Sequence, residues 1–226
     1  MNSLKLEIAC FTIHSALNAA KAGADRIEFC SDYEAGGISP HLKDVKFIRS
    51  KTNNFLSVMV RPRGGDFVYS ENEFEEMKRS ILELKPTKVD AVVFGILDPE
   101  HKIDMERNSE LVNLAEPMKC IFHRAFDEVK FPLDSLEKVI DCGFDYLLTS
   151  GGNQKQTLNP SAIKNLITHA QSRISIIAGG GIRSGNIEEV IKESGAKYFH
   201  SSAIINDGRE TANPEEIKKL QEILWS

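Results

Sequence analysis

Short apolar runs alternate with amphipathic stretches along the whole chain. Runs rich in β-branched and other apolar residues predict strands, and apolar residues at helical spacing between them predict helices. The predicted strands are Leu4–Ile8, Arg26–Phe29, Phe55–Val60, Ala91–Phe94, Cys120–His123, Tyr146–Thr149, Ile174–Ala178 and Tyr198–Ser201. The predicted helices include Thr12–Ala22, Glu71–Leu84, Leu133–Cys142, Gly185–Glu193 and Pro214–Leu224.

Strictly alternating strands and helices predict a parallel sheet, and eight such units favour a closed TIM (β/α)8 barrel. An open doubly wound sheet is the alternative. Polar and apolar residues alternate in the first strands: Leu6 and Ile8 flank Glu7, while Arg26 and Glu28 alternate with apolar neighbours. Successive side chains in a strand face opposite ways, so one face is apolar and the other is charged. Strands of a doubly wound sheet are usually apolar on both faces, and the alternation therefore favours the barrel.

The composition indicates one soluble domain over residues 1–226. A TIM barrel needs roughly 200 to 250 residues, so the 226 residues match one barrel with short loops. The net charge of −5 argues against nucleic acid or an anionic membrane as partner, because both require a basic surface. The chain enters a strand pattern at once, without an apolar signal core or a long apolar segment, which predicts a cytoplasmic protein with no membrane partner.

Four cysteines are present: Cys10, Cys30, Cys120 and Cys142. They form no CxxC pair, and their spacing matches no zinc-finger pattern. In a reducing compartment we expect free, packed thiols.

Polar residues collect at the carboxyl ends of the predicted strands, where TIM barrels place their active sites. The candidate catalytic residues are Glu7, Glu28, Arg61, His123, Arg124, Asp127 and His200. Carboxylates and histidines there suit acid–base chemistry, and arginines suit an anionic substrate. An internal ion-pair network that fills the barrel mouth, with hydrogen-bonded structural histidines, is the alternative.

Glycine-rich turns follow the predicted sixth and seventh strands. Consecutive backbone N–H groups in such turns bind anions, and barrels often bind phosphate after strands seven and eight. The candidate anion-binding residues are Ser150, Gly151, Gly152, Gly179, Gly180, Gly181 and Ser201. The alternative is that these glycines only permit tight turns.

Several of these stretches resemble motifs of the CutC copper homeostasis family. The most specific are Arg61–Phe67, with the sequence RPRGGDF, and Phe122–Asp127, with the sequence FHRAFD. Further similar stretches run in the same order from residue 4 to residue 204. The resemblance implies a cytosolic TIM barrel that forms a homo-oligomer and takes part in copper handling. The resemblance by itself does not name a catalysed reaction.

Two functional hypotheses follow. In the first, the protein binds Cu(I) through Cys10 and Cys30, which match cysteines of the family motifs and leave neighbouring strands; soft thiolates suit Cu(I). Strict alternation, however, places Cys10 on the face opposite Glu7, and Cys30 on the same face as Glu28. In the second, the protein is an isomerase, epimerase or lyase that acts on a small anionic or phosphorylated substrate at the C-terminal face of the barrel. Glu7 or Glu28 is then the base.

Overall fold

The computed structural model describes residues 4–152, 157–205 and 211–225, in which eight strands alternate with eight α-helices. The strands are β1 (Lys5–Cys10), β2 (Arg26–Phe29), β3 (Phe55–Met59), β4 (Ala91–Phe94), β5 (Lys119–Phe122), β6 (Tyr146–Thr149), β7 (Ser175–Ala178) and β8 (Tyr198–Ser201). The helices are α1 (Ile13–Ala22), α2 (Leu42–Lys51), α3 (Glu71–Leu84), α4 (Met105–Ala115), α5 (Pro132–Asp141), α6 (Pro160–Ala170), α7 (Ile187–Ser194) and α8 (Pro214–Trp225). Short 3₁₀ helices cover Lys85–Thr87 and Arg124–Glu128.

The strands form one closed parallel barrel in the order β1 to β8, with β8 paired back to β1. This confirms the predicted TIM barrel and excludes the open doubly wound sheet. Each predicted strand is present, with ends shifted by at most two residues. The largest shift is in β1, which continues to Cys10 rather than ending at Ile8.

Local sequence signals set the helix ends. Helix α3 begins with a capping box in which Ser70 and Glu73 bond each other's backbone N–H groups. Helix α1 begins after Thr12, whose hydroxyl accepts from the N–H of Ser15 at 3.0 Å. It ends at Gly23, whose φ of 92° is the left-handed conformation that glycine adopts without strain.

Three helices were not predicted individually: α2, α4 and α6. The first two bury few apolar side chains; in α2 only Val45 and Ile48 are fully buried. A periodic apolar pattern is therefore short in these segments, and the barrel supplies the packing that stabilises them.

The barrel wall separates two apolar clusters. The larger cluster lies between strands and helices and contains one parity of strand residues, such as Leu6, Ile8 and Val58. The smaller cluster contains the other parity and fills the barrel interior. Its buried members are Cys30, Met59, Ala91, Val93, Ile121, Leu148 and Ile177. Strands β4 to β7 thus point mainly apolar residues inward, while the buried charged residues of the strands, Glu7, Arg26 and Glu28, lie on β1 and β2.

No helix within the described ranges has the length and apolar character needed to cross a membrane.

Candidate active site

A chain of four charged side chains runs across three neighbouring strands inside the barrel. Strand pairing places Glu7 opposite Arg26 on β2 and opposite His200 on β8. Arg26 Nε donates to Glu7 Oε2 at 2.8 Å, and His200 Nδ1 lies 2.9 Å from Glu7 Oε1. On its other side, His200 Nε2 lies 3.7 Å from Glu28 Oε2. All four side chains are largely buried. These distances show that Glu7, Glu28 and His200 lie together, as the sequence predicted.

This arrangement separates the pKa values of the two glutamates. Burial alone raises the pKa of Glu7, but Arg26 and His200 outweigh burial and lower the pKa to about 2. Burial raises the pKa of Glu28, and the nearby Glu7 charge adds to the effect. Burial disfavours the charged form of His200, yet Glu28 and Glu7 raise its pKa overall. Glu7 is therefore a fixed anion, whereas the pKa values of Glu28 and His200, whose side chains are neighbours, are both raised.

Arg26 is held in place by aromatic rings at the N-terminal end of the barrel. Its guanidinium carbon lies 3.9 Å from the centre of the Phe55 ring and 4.4 Å from that of Tyr146. Tyr198 stands at 5.4 Å. These contacts fix the cation beside Glu7, and Glu7 in turn orients His200.

The carboxylates of Glu7 and Glu28 and the imidazole of His200 place one ligand atom each within 4.8 Å of one another. Carboxylate and imidazole donors suit divalent cations, whereas Cu(I) prefers thiolates or thioethers. The cluster therefore does not fit Cu(I). Arg26 already supplies a cation to Glu7, and both Glu7 oxygens are hydrogen-bonded, which favours proton exchange over metal binding as the role of the group.

A cavity of about 340 Å³ opens above this cluster at the C-terminal mouth of the barrel. Strand β2 contributes Glu28 to its lining and β8 contributes His200, while Glu7 lies below and does not line it. Arg61 and His123 form another part of the wall. The cavity thus brings most of the predicted catalytic residues together, on the predicted face of the barrel.

Three buried polar atoms of the cavity-lining residues have no hydrogen-bond partner among the described residues: Glu28 Oε1, Arg61 Nε and His123 Nε2. Buried polar atoms are nearly always paired, so three of them around one cavity indicate that a polar ligand completes the site. Two are donors on a guanidinium and an imidazole, and the third belongs to a carboxyl group that gains or loses a proton.

Arg61 is a buried cation without a carboxylate partner in the described part of the chain. Its terminal nitrogens donate to the carbonyl oxygens of Ala35 at 2.9 Å, Gly37 at 3.1 Å and Gly65 at 2.6 Å. These bonds fix the guanidinium plane, and Phe67 packs against it with its ring centre 4.7 Å away. An unpaired buried charge is costly, so an anion in the cavity would stabilise it.

His123 is neutral. Burial, together with the Arg61 charge, lowers its pKa to about 3. Its Nδ1 accepts from the N–H of Ala125 at 3.3 Å, so the proton resides on Nε2. Because it stays neutral, His123 is suited to donate a hydrogen bond to a ligand but not to act as a base at neutral pH.

The turn after β7 keeps two of its three predicted N–H donors available. Gly179 N donates to Thr149 O at 2.9 Å. Within the described residues, no hydrogen-bond partner faces the N–H groups of Gly180 and Gly181. Both glycines have positive φ and line the cavity, and a side chain at Gly180 would meet Ser150 Cβ at 2.7 Å.

Asp127 is occupied in a structural role, which differs from the catalytic role predicted for it. The carboxylate is fully buried and accepts hydrogen bonds from the N–H and hydroxyl of Ser150, from Gly152 N and from Thr149 Oγ1. Arg124 Nε completes the set at 2.8 Å. Asp127 therefore joins the β5 and β6 ends and orients Arg124.

The same contacts affect the predicted anion site at Ser150, Gly151 and Gly152. Two of these N–H groups bind Asp127, and Gly151 N donates to Thr149 Oγ1 at 2.9 Å. The Asp127 carboxylate thus occupies two of these N–H donors, and the Thr149 hydroxyl occupies the third. Ser201 is also engaged, since its hydroxyl donates to Ile182 O at 2.7 Å.

The cysteines predicted as metal ligands lie on neighbouring strand ends but on opposite faces of the wall. Cys30 N donates to Cys10 O at 2.9 Å. Cys10 belongs to the outer cluster and Cys30 to the interior one, because β1 stays regular through Cys10. Burial raises the pKa of Cys10 to about 12 and that of Cys30 well above its ordinary value. All four cysteines are free and buried, as expected.

Arg183 is a cavity residue that the sequence analysis missed. It follows the glycine turn and reaches back to the end of β8, where its guanidinium donates to Ser201 Oγ at 3.2 Å and Ser202 Oγ at 2.9 Å. No carboxylate among the described residues pairs with it. An arginine two residues beyond three consecutive glycines was the available signal.

Comparisons with known proteins agree with this fold. The copper homeostasis protein cutC homolog of Homo sapiens is 39% identical over 202 residues, which are 89% of this chain and 74% of that protein. The crystal structure of a CutC copper homeostasis protein from Streptococcus agalactiae superposes with a TM-score of 0.83 at 29% identity, covering 88% of this chain and 98% of that one. Phosphoribosyl anthranilate isomerase from Thermotoga maritima, with a TM-score of 0.66 and 17% identity over 98% of both chains, shows the fold alone.

The model of the CutC family matches residues 4–205. That range contains all eight strands and every residue that lines the cavity. The chain therefore belongs to the CutC family.

Proposed function

We propose that this protein binds a small anion in the cavity at the barrel mouth and catalyses proton transfer on it, as an isomerase, epimerase or lyase. The observation that carries the proposal is a set of three buried atoms around one cavity, Glu28 Oε1, Arg61 Nε and His123 Nε2, to which the described residues offer no hydrogen-bond partner. A stability network alone would pair these atoms with each other or with the backbone.

The side chains divide into reacting and positioning groups. Glu28 is the general base, and His200 beside it exchanges the proton. Arg61 and the neutral His123 donate hydrogen bonds to the oxygen atoms of the ligand, where negative charge develops when a proton leaves a neighbouring carbon. Arg26 and Glu7 position His200, and Asp127 positions Arg124.

Anion binding is tested by thermal unfolding with inorganic phosphate or sulfate added. A ligand that binds only the native state raises the unfolding midpoint, and above its dissociation constant the rise grows with the logarithm of ligand concentration. We expect both anions to raise the midpoint of the wild type, and to raise that of Arg61→Met less. Arg79→Met, which removes an exposed arginine on α3, is the control and should respond like the wild type. Equal responses of all three proteins, or no response of the wild type, would contradict anion binding at Arg61.

Proton transfer is tested by NMR in D₂O with small phosphorylated hydroxy and keto acids. We expect the wild type to exchange a carbon-bound proton next to a carbonyl for deuterium. Glu28→Gln should bind phosphate as the wild type does and lose the exchange. Exchange by Glu28→Gln at the wild-type rate would show that Glu28 is not the base. If the wild type does not exchange the proton, the proposal that it acts on these substrates is wrong.

A second candidate function is transport or buffering of Cu(I) as cargo. The family name links relatives to copper, Cys30 lines the cavity, and Cys10 lies on the adjacent strand. The residues as placed do not fit a two-thiolate Cu(I) site, because the side chains lie on opposite faces and both thiols resist deprotonation.

Competition with a Cu(I)-specific chelator tests this candidate. If the two cysteines hold copper, the Cys10→Ser/Cys30→Ser double variant will bind Cu(I) much more weakly than the wild type. Equal, weak binding by both proteins would refute it. Cys142→Ser, at a cysteine remote from the cavity, controls for non-specific thiol binding.

The resemblance to the family also supports a cytoplasmic homo-oligomer. Light scattering on the purified protein and fractionation of cells test the two parts separately; a monomer, or a protein outside the cytoplasmic fraction, would refute the corresponding part.

A further inference from the structure

The cavity has cationic groups on two opposite sides. Arg61 follows β3, and the Gly180–Gly181 turn with Arg183 follows β7. In the closed order of eight strands, β3 and β7 are four strands apart in either direction, so they face each other across the barrel axis. One ligand in the cavity is exposed to both groups.

The first side binds through two fixed donors. Arg61 cannot rotate away, because its terminal nitrogens bond three carbonyl oxygens while Nε remains unpartnered in the described structure. The N–H of His123 is the second donor. Arg61 is only 5% exposed. Two hydrogen-bond donors and the full positive charge of this buried arginine suit a carboxylate.

The second side binds through the backbone. The N–H groups of Gly180 and Gly181 have no partner in the described residues and belong to consecutive residues of positive φ. Successive free N–H groups form a concave site for a phosphate. The Arg124 guanidinium reaches this turn, at 3.4 Å from the position of a Gly180 Cβ, and Arg183 adds a second charge.

The floor between the two sides is the proton-exchanging pair, Glu28 and His200. Apolar side chains, including those of Met59 and Leu148, also line the cavity. The volume of about 340 Å³ is at the small end of the range for ligand pockets, roughly 300 to 1,000 Å³. The site therefore suits a short molecule with a reacting carbon in its middle and an anionic group at each end.

We propose that the substrate is a small phosphorylated carboxylic acid, with its carboxylate on Arg61 and His123 and its phosphate on Gly180, Gly181 and Arg183. This inference rests on the proposed function, since it names the substrate class of the same cavity. It adds that two separate anion sites act on one molecule.

Calorimetry with three matched probes tests the inference. The probes are phosphoglycerate phosphorylated on its terminal carbon, glycerol phosphate, which lacks the carboxylate, and glycerate, which lacks the phosphate. We expect the wild type to bind phosphoglycerate at least about tenfold more tightly than either other probe, because the second contact becomes intramolecular. Arg61→Met should reduce the affinity for phosphoglycerate to about that for glycerol phosphate.

Arg183→Gln should bind phosphoglycerate no more tightly than glycerate, which lacks the phosphate. Arg183→Lys should retain part of the difference in affinity between these two probes, because the charge remains. Urea unfolding of each variant separates lost binding from lost folding. If the wild type binds phosphoglycerate and glycerol phosphate equally, one anion site exists; the inference fails and the proposed function stands. If none of the probes binds and inorganic phosphate does not bind either, both fail.

Discussion

Removal of the Asp127 charge is the sharpest test of how the barrel mouth is held together. We consider Asp127→Asn, which preserves the shape of the side chain. In the native structure Oδ1 accepts from Thr149 Oγ1 at 2.5 Å and from Gly152 N at 3.2 Å, while Oδ2 accepts from Ser150 Oγ and Arg124 Nε, both at 2.8 Å. The amide retains one acceptor oxygen and turns an NH₂ group toward the remaining donors.

The expected loss is large because these donors are buried. A hydrogen bond to a charged group contributes about 1.5 to 3 kcal/mol, and breaking a buried charge network costs about 3 to 5 kcal/mol. Arg124 is 32% exposed and can rehydrate, so we attribute most of the loss to the N–H and hydroxyl donors. We therefore expect Asp127→Asn to lower the free energy of unfolding by about 3 to 5 kcal/mol. For a chain of this length, this lowers the unfolding temperature by roughly 6 to 20 °C.

Urea unfolding, followed by tryptophan fluorescence and circular dichroism, measures the difference, provided that the slope with denaturant is unchanged. Asp141→Asn, at the exposed end of α5, is the control and should change stability by no more than about 0.5 kcal/mol. A loss below about 1 kcal/mol for Asp127→Asn would refute the structural role. If Asp127→Asn is as stable as the wild type but does not bind the anion, Asp127 takes part in binding instead.

Three further predictions concern the cavity. The stabilising contribution of protonated His200 is complete below the ordinary histidine pKa of about 6.5 and is lost as pH rises through the raised pKa of His200. The stability deficit of His200→Gln should therefore shrink with rising pH, unlike that of exposed His14→Gln. A pH-independent deficit in urea unfolding would contradict this prediction. ¹⁵N NMR should show His123 neutral, with its proton on Nε2, between about pH 5 and 8; titration in that range would show that the imidazole is accessible to water. Gly180→Ala should destabilise the protein by about 1 to 3 kcal/mol more than Gly181→Ala, because both residues have positive φ but only Gly180 lacks space for a Cβ. Equal losses of stability in thermal unfolding would show that the positive φ alone causes the destabilisation.

The sequence predicted on which side of the sheet several candidate residues lie, because strand parity is a local property. Glu7 and Glu28 alternate with apolar residues, which places them inside the barrel in any regular strand of that register. His200 lies at a strand end, and the barrel closes β8 onto β1, so its position beside Glu7 followed from strand count as well.

Residue roles could not be obtained in the same way. Glu7, Glu28 and Asp127 are all carboxylates in the sequence. In the structure, however, Arg26 and His200 lower the pKa of the first, burial raises that of the second, and five surrounding donor groups bind the third. Most of the partners that cause these differences are distant in the chain. No local pattern records them.

The sequence by itself determined the alternation of strands and helices, the parity of the strands and the family motifs, because each depends on neighbouring residues. The tertiary structure alone decided which polar atoms remain without a partner. Arg61 illustrates the difference. Its motif was visible in the sequence, but the absence of a carboxylate partner among the residues that the structure describes depends on every segment that packs around it. Hydrogen-bond satisfaction is a property of the whole fold, and it is this property that points to an anion in the cavity.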